Sequence, residues 1–211
     1  MTLSLNEVEA LAKKATRGAG YPWGIAEEAG KAVRCLCARD LDGCAALADV
    51  LAEMETSAFA DHAPLIDGDW TSRRNRLCPM LAGVTLSDLA ETLGEGELRL
   101  EDVCRPILLA PFAGLAAQCI KAPMVLKWND TQVATDGANL WANGDVHARC
   151  ASVTVQVESR IANITPQPTR SRAKPTPDAL TVLNRLAHLT YAPATEESRL
   201  SGAGAGLSDN D

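Results

Sequence analysis

The stretch PILLAPFAGLAAQCI, residues 106–120, carries no charged side chain and a single amide, Gln118. Little of such a run can face water without exposing a large apolar patch. A membrane-spanning helix needs about 20 consecutive apolar residues, whereas this run is shorter and is interrupted by Pro111 and Gly114. We therefore predict that it is the buried segment around which a globular domain packs.

The composition of the chain agrees with such a domain. The chain has 211 residues, of which 46% are hydrophobic and 4% aromatic, and its net charge is −7. Nucleic-acid phosphates and anionic lipids repel an acidic chain, so we expect neither nucleic acid nor a membrane as a partner. The first residues lack the basic and then apolar pattern of a signal peptide. These observations predict a cytoplasmic protein.

The sequence before the central segment has helical periodicity. Ser4 and Glu7 form a capping box, and apolar side chains then recur every three or four residues along three successive stretches. We predict a three-helix unit over about residues 4–56. Further on, we predict a short helix over residues 85–93, with the threonine as its N-cap, and a brief strand at 97–100.

After the central segment the hydrophobic period changes to two, which is typical of strands. Residues 124–128 and 132–135 predict a hairpin, 139–143 a third strand and 152–158 a fourth. These strands predict a small antiparallel sheet over about residues 123–158, whose valine-rich face packs against the central segment.

The C-terminal part of the chain begins with a basic, proline-rich linker over residues 159–176. Thr176, followed by a proline and an acid, predicts the start of a helix. The predicted architecture is thus α+β: one domain over residues 1–158, the linker, and a C-terminal helix with a glycine-rich tail over 177–211. We expect the tail, from residue 195, either to be unstructured or to dock in cis or onto a second copy, which would give a homo-oligomer.

The seven cysteines have irregular spacing. In a reducing compartment such thiols are mostly buried and act as small hydrophobic groups. Cys35, Cys37 and Cys44 do not match a zinc-binding spacing, because two helical residues two positions apart point in nearly opposite directions. The sequence therefore predicts no metal site and leaves the cofactor unknown.

Residues 57–76 do not continue the helical periodicity of the preceding stretches, and they predict a long, structured loop. Three arginines precede Cys78 within five residues, and neighbouring cations favour the nucleophilic thiolate. We hypothesise a catalytic pair in which Cys78 is the nucleophile and His62 the base. The alternative is that Cys78 is a packed thiol.

The same loop supplies candidate ligand-binding residues. Arginine binds carboxylates and phosphates bidentately, so the loop also predicts a site for a small anionic ligand. The candidates are Arg73, Arg74, Arg76, Asp67, Asp69 and Trp70. The alternative is that the arginines form a solvated surface paired with the two aspartates.

Several stretches together resemble a bacterial family catalogued as a domain of unknown function, number 3726. These stretches are SLNEVEALAKKATRGAGYPWGIAEEAGKAV at 4–33, LCP at 77–79, CRPILLAPF at 104–112 and TYAPATEESRLSGAGAGLSDND at 190–211. The resemblance implies a single-unit bacterial protein, and it supplies neither an activity nor functional residues.

Two functions are open at this stage. The first is a non-catalytic small-molecule-binding or accessory protein, which the lack of an assembled catalytic motif favours. The second is a cofactor-independent thiol enzyme acting on a small anionic metabolite. The second requires an exposed Cys78 within hydrogen-bond reach, or one water molecule, of His62.

Overall fold

A computed structural model describes residues 2–93, 96–159, 161 and 165–191. Within these residues the chain forms six α-helices and seven strands, joined in places by short 3₁₀ turns. In chain order they are β1 Leu3–Ser4, α1 Leu5–Gly18, α2 Trp23–Cys37, α3 Gly43–Met54, α4 Pro79–Asp88, β2 Glu97–Cys104, α5 Ala110–Ile120, β3 Met124–Trp128, β4 Thr131–Thr135, β5 Leu140–Asn143, β6 Cys150–Val157, β7 Arg172–Ala173 and α6 Pro177–His188. The predicted α+β class is confirmed.

The N-terminal helices α1 to α3 form as predicted. The Ser4 hydroxyl accepts a hydrogen bond from the Glu7 backbone N–H at 3.2 Å, and the Glu7 carboxylate accepts one from the Ser4 N–H at 2.6 Å. This capping box satisfies two backbone donors that the first turn leaves unpaired. At the start of α3, Asp42 accepts from the Ala45 N–H at 2.9 Å.

The C-terminal helix α6 completes this helical layer by packing against α1 and α3. The segment before it, predicted to be a linker, is attached to the N-terminal helices. Arg170 forms a 2.9 Å ion pair with Asp40, and β7 pairs with β1 in a small antiparallel sheet. The described part of the linker is therefore a strap across the helical layer. Arg160 and the tail from residue 192 lie outside the described residues.

The main sheet has five antiparallel strands in the order β2-β6-β3-β4-β5. The predicted strands are all present, and the brief strand expected at 97–100 extends to Cys104 as β2, an edge strand with a bulge between Leu100 and Val103. Val153 and Val155 on β6 are buried, which agrees with the predicted valine face.

The central apolar segment is the core element that the sequence predicted. It begins as a 3₁₀ turn over Pro106–Leu109 and continues as α5. Helix α5 contacts α2 and α4 on one side and β3 and β4 on the other, so it lies between the helical layer and the sheet. Leu115 is its exposed large hydrophobic side chain, at 47%, and Gln118 and Cys119 near its end are exposed as well.

The helix predicted over residues 85–93 is wrong in its position. Helix α4 starts at Pro79, and Thr85 lies inside it, with its hydroxyl donating to the Leu81 carbonyl at 2.9 Å. Proline fits the first helical turn, and a threonine hydroxyl can bond to the backbone of the preceding turn as well as cap a helix. No helix of the described residues is long and apolar enough to cross a membrane.

Candidate functional site

The thiol of Cys78 lies in the protein core. The residue precedes α4 and its side chain is fully buried. Burial raises the pKa of the thiol, and hydrogen bonds from the backbone of Leu81 and from Tyr21 counteract this only in part. The Tyr21 hydroxyl lies 3.6 Å from the sulfur. These surroundings favour the alternative in which Cys78 is a packed, protonated thiol.

His62 approaches Cys78 through the backbone. Its carbonyl accepts a hydrogen bond from the Cys78 N–H at 3.0 Å. Its ring Nε2 lies 2.6 Å from the Ser57 hydroxyl, and its ring Nδ1 lies 2.9 Å from the Arg76 carbonyl oxygen. The loop thus folds back as the hypothesis required, but both ring nitrogens join loop segments together. This geometry makes His62 a structural clamp of the loop.

The three arginines of the loop have separate surroundings. Arg74 lies 3.6 Å from Asp61, while Arg76 lies 3.2 Å from Glu53 and 3.3 Å from Asp102. Arg73 is exposed. The acidic partners seen among the described residues therefore differ from the two aspartates named in the sequence-based alternative.

The other predicted ligand residues are also spread apart. Asp67 and Asp69 are exposed, whereas Trp70 is buried and its backbone bonds to Arg99 and Glu101 of β2. Of the six predicted ligand residues, Arg76 lines one of the cavities described below. The structure does not gather the six into one site.

A different cavity combines apolar walls with charged groups. It has a volume of about 360 Å³ and lies between α2, α5 and the β4–β5 turn. We call it the α2–α5 pocket. Its residues are Glu28, Lys31, Ala32, Cys35, Arg39, Ala110, Pro111, Phe112, Gly114, Leu115, Gln118, Thr135, Gly137, Ala138, Asn139 and Leu140.

The β4–β5 turn forms a fixed wall of this pocket. Asp136 accepts hydrogen bonds from the N–H groups of Ala138 at 2.8 Å and Asn139 at 2.6 Å. The Gln118 amide of α5 donates to the Gly137 carbonyl at 2.6 Å. Gly137 has a φ of +87°, and a side chain at this position would collide with Gln118. The turn is therefore held in place against α5, which keeps the pocket open.

Two of the three charged side chains that line the pocket pair with each other, and the third has neutral partners. Lys31 is 2.7 Å from Glu28, so these two side chains neutralise each other. Arg39 donates to the Thr169 hydroxyl at 2.8 Å and to the Ala138 carbonyl, both of which are neutral. Arg39 forms no ion pair with any carboxylate among the described residues. The charged side chains that line the pocket, Glu28, Lys31 and Arg39, thus carry one positive charge in excess.

Cys35 is the thiol that faces this pocket. Burial raises the pKa of this thiol, and the nearby positive charge of Arg39 lowers it by less. The thiol is therefore protonated at neutral pH. Nucleophilic chemistry requires a thiolate, so the surroundings of Cys35 are suited to contact with a ligand rather than to reaction with it.

Sequence reasoning missed this pocket because its walls come from distant parts of the chain. Glu28 and Lys31 have the spacing of a solvent-facing stripe on α2, and no sequence pattern distinguishes them from other surface charges. Leu115, the half-exposed rim residue, appears in the sequence as one more core residue of the uncharged segment 106–120.

The known-protein comparisons agree with the resemblance noted from the sequence. Residues 3–90 match the family model described as "Protein of unknown function (DUF3726)". The resemblance is confirmed over this segment, which extends from β1 into the short turn after α4, and the quoted stretches beyond it lie outside the match. No curated protein and no solved structure matches the chain.

Proposed function

We propose that this protein is a non-catalytic binding protein for a small organic acid, a molecule with an apolar body and one carboxylate. The ligand would occupy the α2–α5 pocket. The observation that carries this proposal is the excess positive charge of Arg39 at a cavity whose walls are mostly apolar.

The size and lining of the pocket support this class of ligand. Small-molecule sites typically have volumes of about 300–1,000 Å³, apolar walls and a few polar groups that set orientation. The volume of about 360 Å³ lies at the small end of this range. The half-exposed Leu115 and the partly buried Pro111 supply apolar surface for the body of the ligand.

The charge of the pocket selects the polar end of the ligand. A guanidinium binds a carboxylate through two parallel hydrogen bonds, and these charge-assisted bonds are stronger than neutral ones. Since Glu28 is already paired with Lys31, it does not neutralise Arg39. A neutral analogue of the same shape would leave the guanidinium without an anionic partner.

The direct test is calorimetric titration of the full chain with hexanoate, octanoate and phenylacetate, and with the three corresponding amides. We expect at least one of the acids to bind and its amide to bind at least about tenfold more weakly, because a desolvated charge pair contributes more than about 1.4 kcal/mol. Equal affinity for acid and amide, or no binding of any acid, would overturn the proposal.

Two variants locate the site. Arg39→Gln removes the charge and should weaken binding of the acid by about tenfold or more. Leu115→Asp places a negative charge at the half-exposed rim and should weaken binding without unfolding the protein. Arg34→Gln is the matched control, because Arg34 lies nearby, in the last turn of α2, but pairs with Glu9 away from the pocket. Unchanged affinity in Arg39→Gln would contradict the assignment.

A further inference from the structure

A second cavity lies between α3, the loop that carries Arg76 and the start of β6. It is an open groove of about 510 Å³, which we call the α3 groove. Its residues are Asp49, Ala52, Glu53, Arg76, Arg149 and Cys150. Cys150 is exposed here, at the first position of β6, so a small oxidant in solvent can reach its sulfur.

A second cysteine lies directly opposite Cys150 in the sheet. Cys104, the last residue of β2, is paired in register with Cys150 across the antiparallel ladder. Side chains of directly opposed residues project from the same face of a sheet. The two sulfurs therefore belong to one face, one of them buried and the other exposed.

The backbone hydrogen bonds show whether Cys104 and Cys150 are a hydrogen-bonded or a non-hydrogen-bonded pair of the antiparallel ladder. The Arg105 N–H donates to the Arg149 carbonyl at 2.7 Å, so the next pair along the ladder is the hydrogen-bonded one. The Cys104 N–H points the other way, donating to the Leu77 carbonyl at 3.0 Å. Cys104 and Cys150 are thus a non-hydrogen-bonded pair.

This distinction decides whether the cysteines can be joined. Opposed Cα atoms are about 4.5 Å apart in non-hydrogen-bonded antiparallel pairs, closer than in hydrogen-bonded ones. Disulfides join residues whose Cα atoms are about 4.4–6.8 Å apart. The backbone of β2 and β6 therefore holds the two cysteines at a separation that a disulfide can bridge.

Charged groups contact both sulfurs. The Cys104 thiol lies 3.4 Å from the Glu53 carboxylate, and Arg76 interacts with the sulfur of Cys150. Arg76 and Glu53 are themselves paired at 3.2 Å. Burial and the Glu53 carboxylate both raise the pKa of the Cys104 thiol, so this thiol keeps its proton until it reacts, and Glu53 is placed to accept that proton during the reaction. A cation stands beside the exposed thiol.

We propose that Cys104 and Cys150 form a reversible modification site, which a hydroperoxide oxidises to a disulfide joining β2 to β6. This inference concerns a different surface from the ligand pocket and does not depend on it.

The reaction takes place in two steps. The Cys150 thiolate attacks one oxygen of the hydroperoxide, the O–O bond breaks, and the leaving oxygen takes up a proton to become an alcohol or water. Cys150 is then a sulfenic acid. As the sulfur of Cys104 attacks the sulfur of Cys150, Glu53 takes up the proton that leaves Cys104. The S–O bond breaks, and hydroxide leaves as water with that proton. Two thiols and one hydroperoxide thus yield one disulfide, one alcohol or water, and one water.

Other cysteines provide internal comparisons. Cys37 and Cys44 also interact with each other, but both are buried, so an oxidant in solvent does not reach them. Cys119 is exposed and lies 3.8 Å from Glu91, so it has an acidic neighbour like the proposed pair but no opposed cysteine. We expect neither set to form a disulfide in the folded protein.

The test is treatment of the native full chain with hydrogen peroxide, followed by blocking of free thiols, unfolding and thiol counting. We expect the count to fall from seven to five, since one disulfide consumes two of the seven free thiols. A dithiol reductant should restore the full count. A count that stays at seven, or a Cys150 that becomes a sulfinic acid without forming a link, would overturn the proposal.

Peptide mapping identifies the linked residues. Trypsin does not cut before Pro106, so Cys104 and Cys119 stay on the same peptide. The mapping therefore uses a Cys119→Ser background, in which any link from this peptide to residues 150–160 must come from Cys104. A link that is lost in that background would contradict the assignment.

Two further variants test the chemistry. Cys150→Ser, at an exposed position, should abolish the link and leave Cys104 reduced. Arg76→Gln should slow the formation of the link, whereas Arg99→Gln, at an exposed ion pair on β2, the strand that carries Cys104, should not. Equal rates in the two arginine variants would remove Arg76 from the site, and a Cys104 that links to another residue in Cys150→Ser would overturn the pairing.

Discussion

The α2–α5 pocket and the α3 groove use the same kinds of side chain with different charge balance. Each contains one cysteine; the pocket has one arginine, Arg39, and the groove has two, Arg76 and Arg149. In the pocket, Arg39 has neutral hydrogen-bond partners and Cys35 is partly covered. In the groove, Arg76 has two carboxylate neighbours and Cys150 is exposed.

The difference shows how surroundings assign a role to a residue type. A cation with neutral partners beside apolar walls has a charge left to offer an incoming anion. A cation between two carboxylates is already paired within the protein, and it holds the neighbouring side chains in position. The pocket is thus arranged to hold a ligand, and the groove to position reactive sulfur.

The largest expected effect tests whether the buried wall of the pocket stabilises the fold while its exposed rim does not. Phe112 is buried, and its ring packs against Gly83 of α4. Phe112→Ala should lower the free energy of unfolding by about 3–5 kcal/mol, because it removes a buried ring and leaves a cavity. Leu115→Ala, at the half-exposed rim, should change it by less than about 0.5 kcal/mol. Urea unfolding of both variants measures the difference, and similar losses would show that the rim is also structural.

A smaller effect should separate the two arginines. Arg76→Gln leaves Glu53 and Asp102 facing each other without their shared cation. The loss of this half-buried pairing should cost about 1–2 kcal/mol, between the values typical of surface and of buried pairs. Arg39→Gln breaks no ion pair with described residues and should cost less than about 0.5 kcal/mol. Urea unfolding measures both, and a larger loss at Arg39 would reverse the comparison.

The sequence predicted the elements whose signals are local. The capping box at Ser4, the uncharged segment at 106–120 and the period-two strands each carry their information within a few residues. The same is true of the N-terminus of α6, where Thr176 accepts from the Ala179 N–H as expected. These elements form where the patterns indicated.

The sites could not be predicted in this way, because they depend on contacts between distant residues. Arginines adjacent in sequence made Cys78 look activated, yet the fold buries its thiol. Cys150 stands opposite Cys104 only because β6 pairs with β2, a register that no local pattern specifies. The excess charge of Arg39 likewise depends on which carboxylates the fold places elsewhere.

The smallest expected effect tests whether the wall of the pocket depends on the charge of Asp136. Partial burial acts to raise the pKa of this carboxyl, but hydrogen bonds from Asn139 and the Ala138 N–H outweigh it, so the pKa is lowered. A group whose pKa is lower in the folded state stabilises the fold above its unfolded pKa, which is about 3.9 for aspartate. That contribution is lost as the pH falls through the lower folded value.

Asp136→Asn should therefore be less stable than the unchanged protein at neutral pH, and the difference should shrink as the pH falls below about 4. Urea unfolding at a series of pH values measures it. In an Asn139→Ala background, which removes one donor to the carboxylate, the difference at neutral pH should be smaller. If the difference instead stayed constant with pH, the turn would be held by its shape and not by the charge of Asp136. The pocket wall would then resemble the neutral contacts of Arg39 more than the ion pairs of the α3 groove.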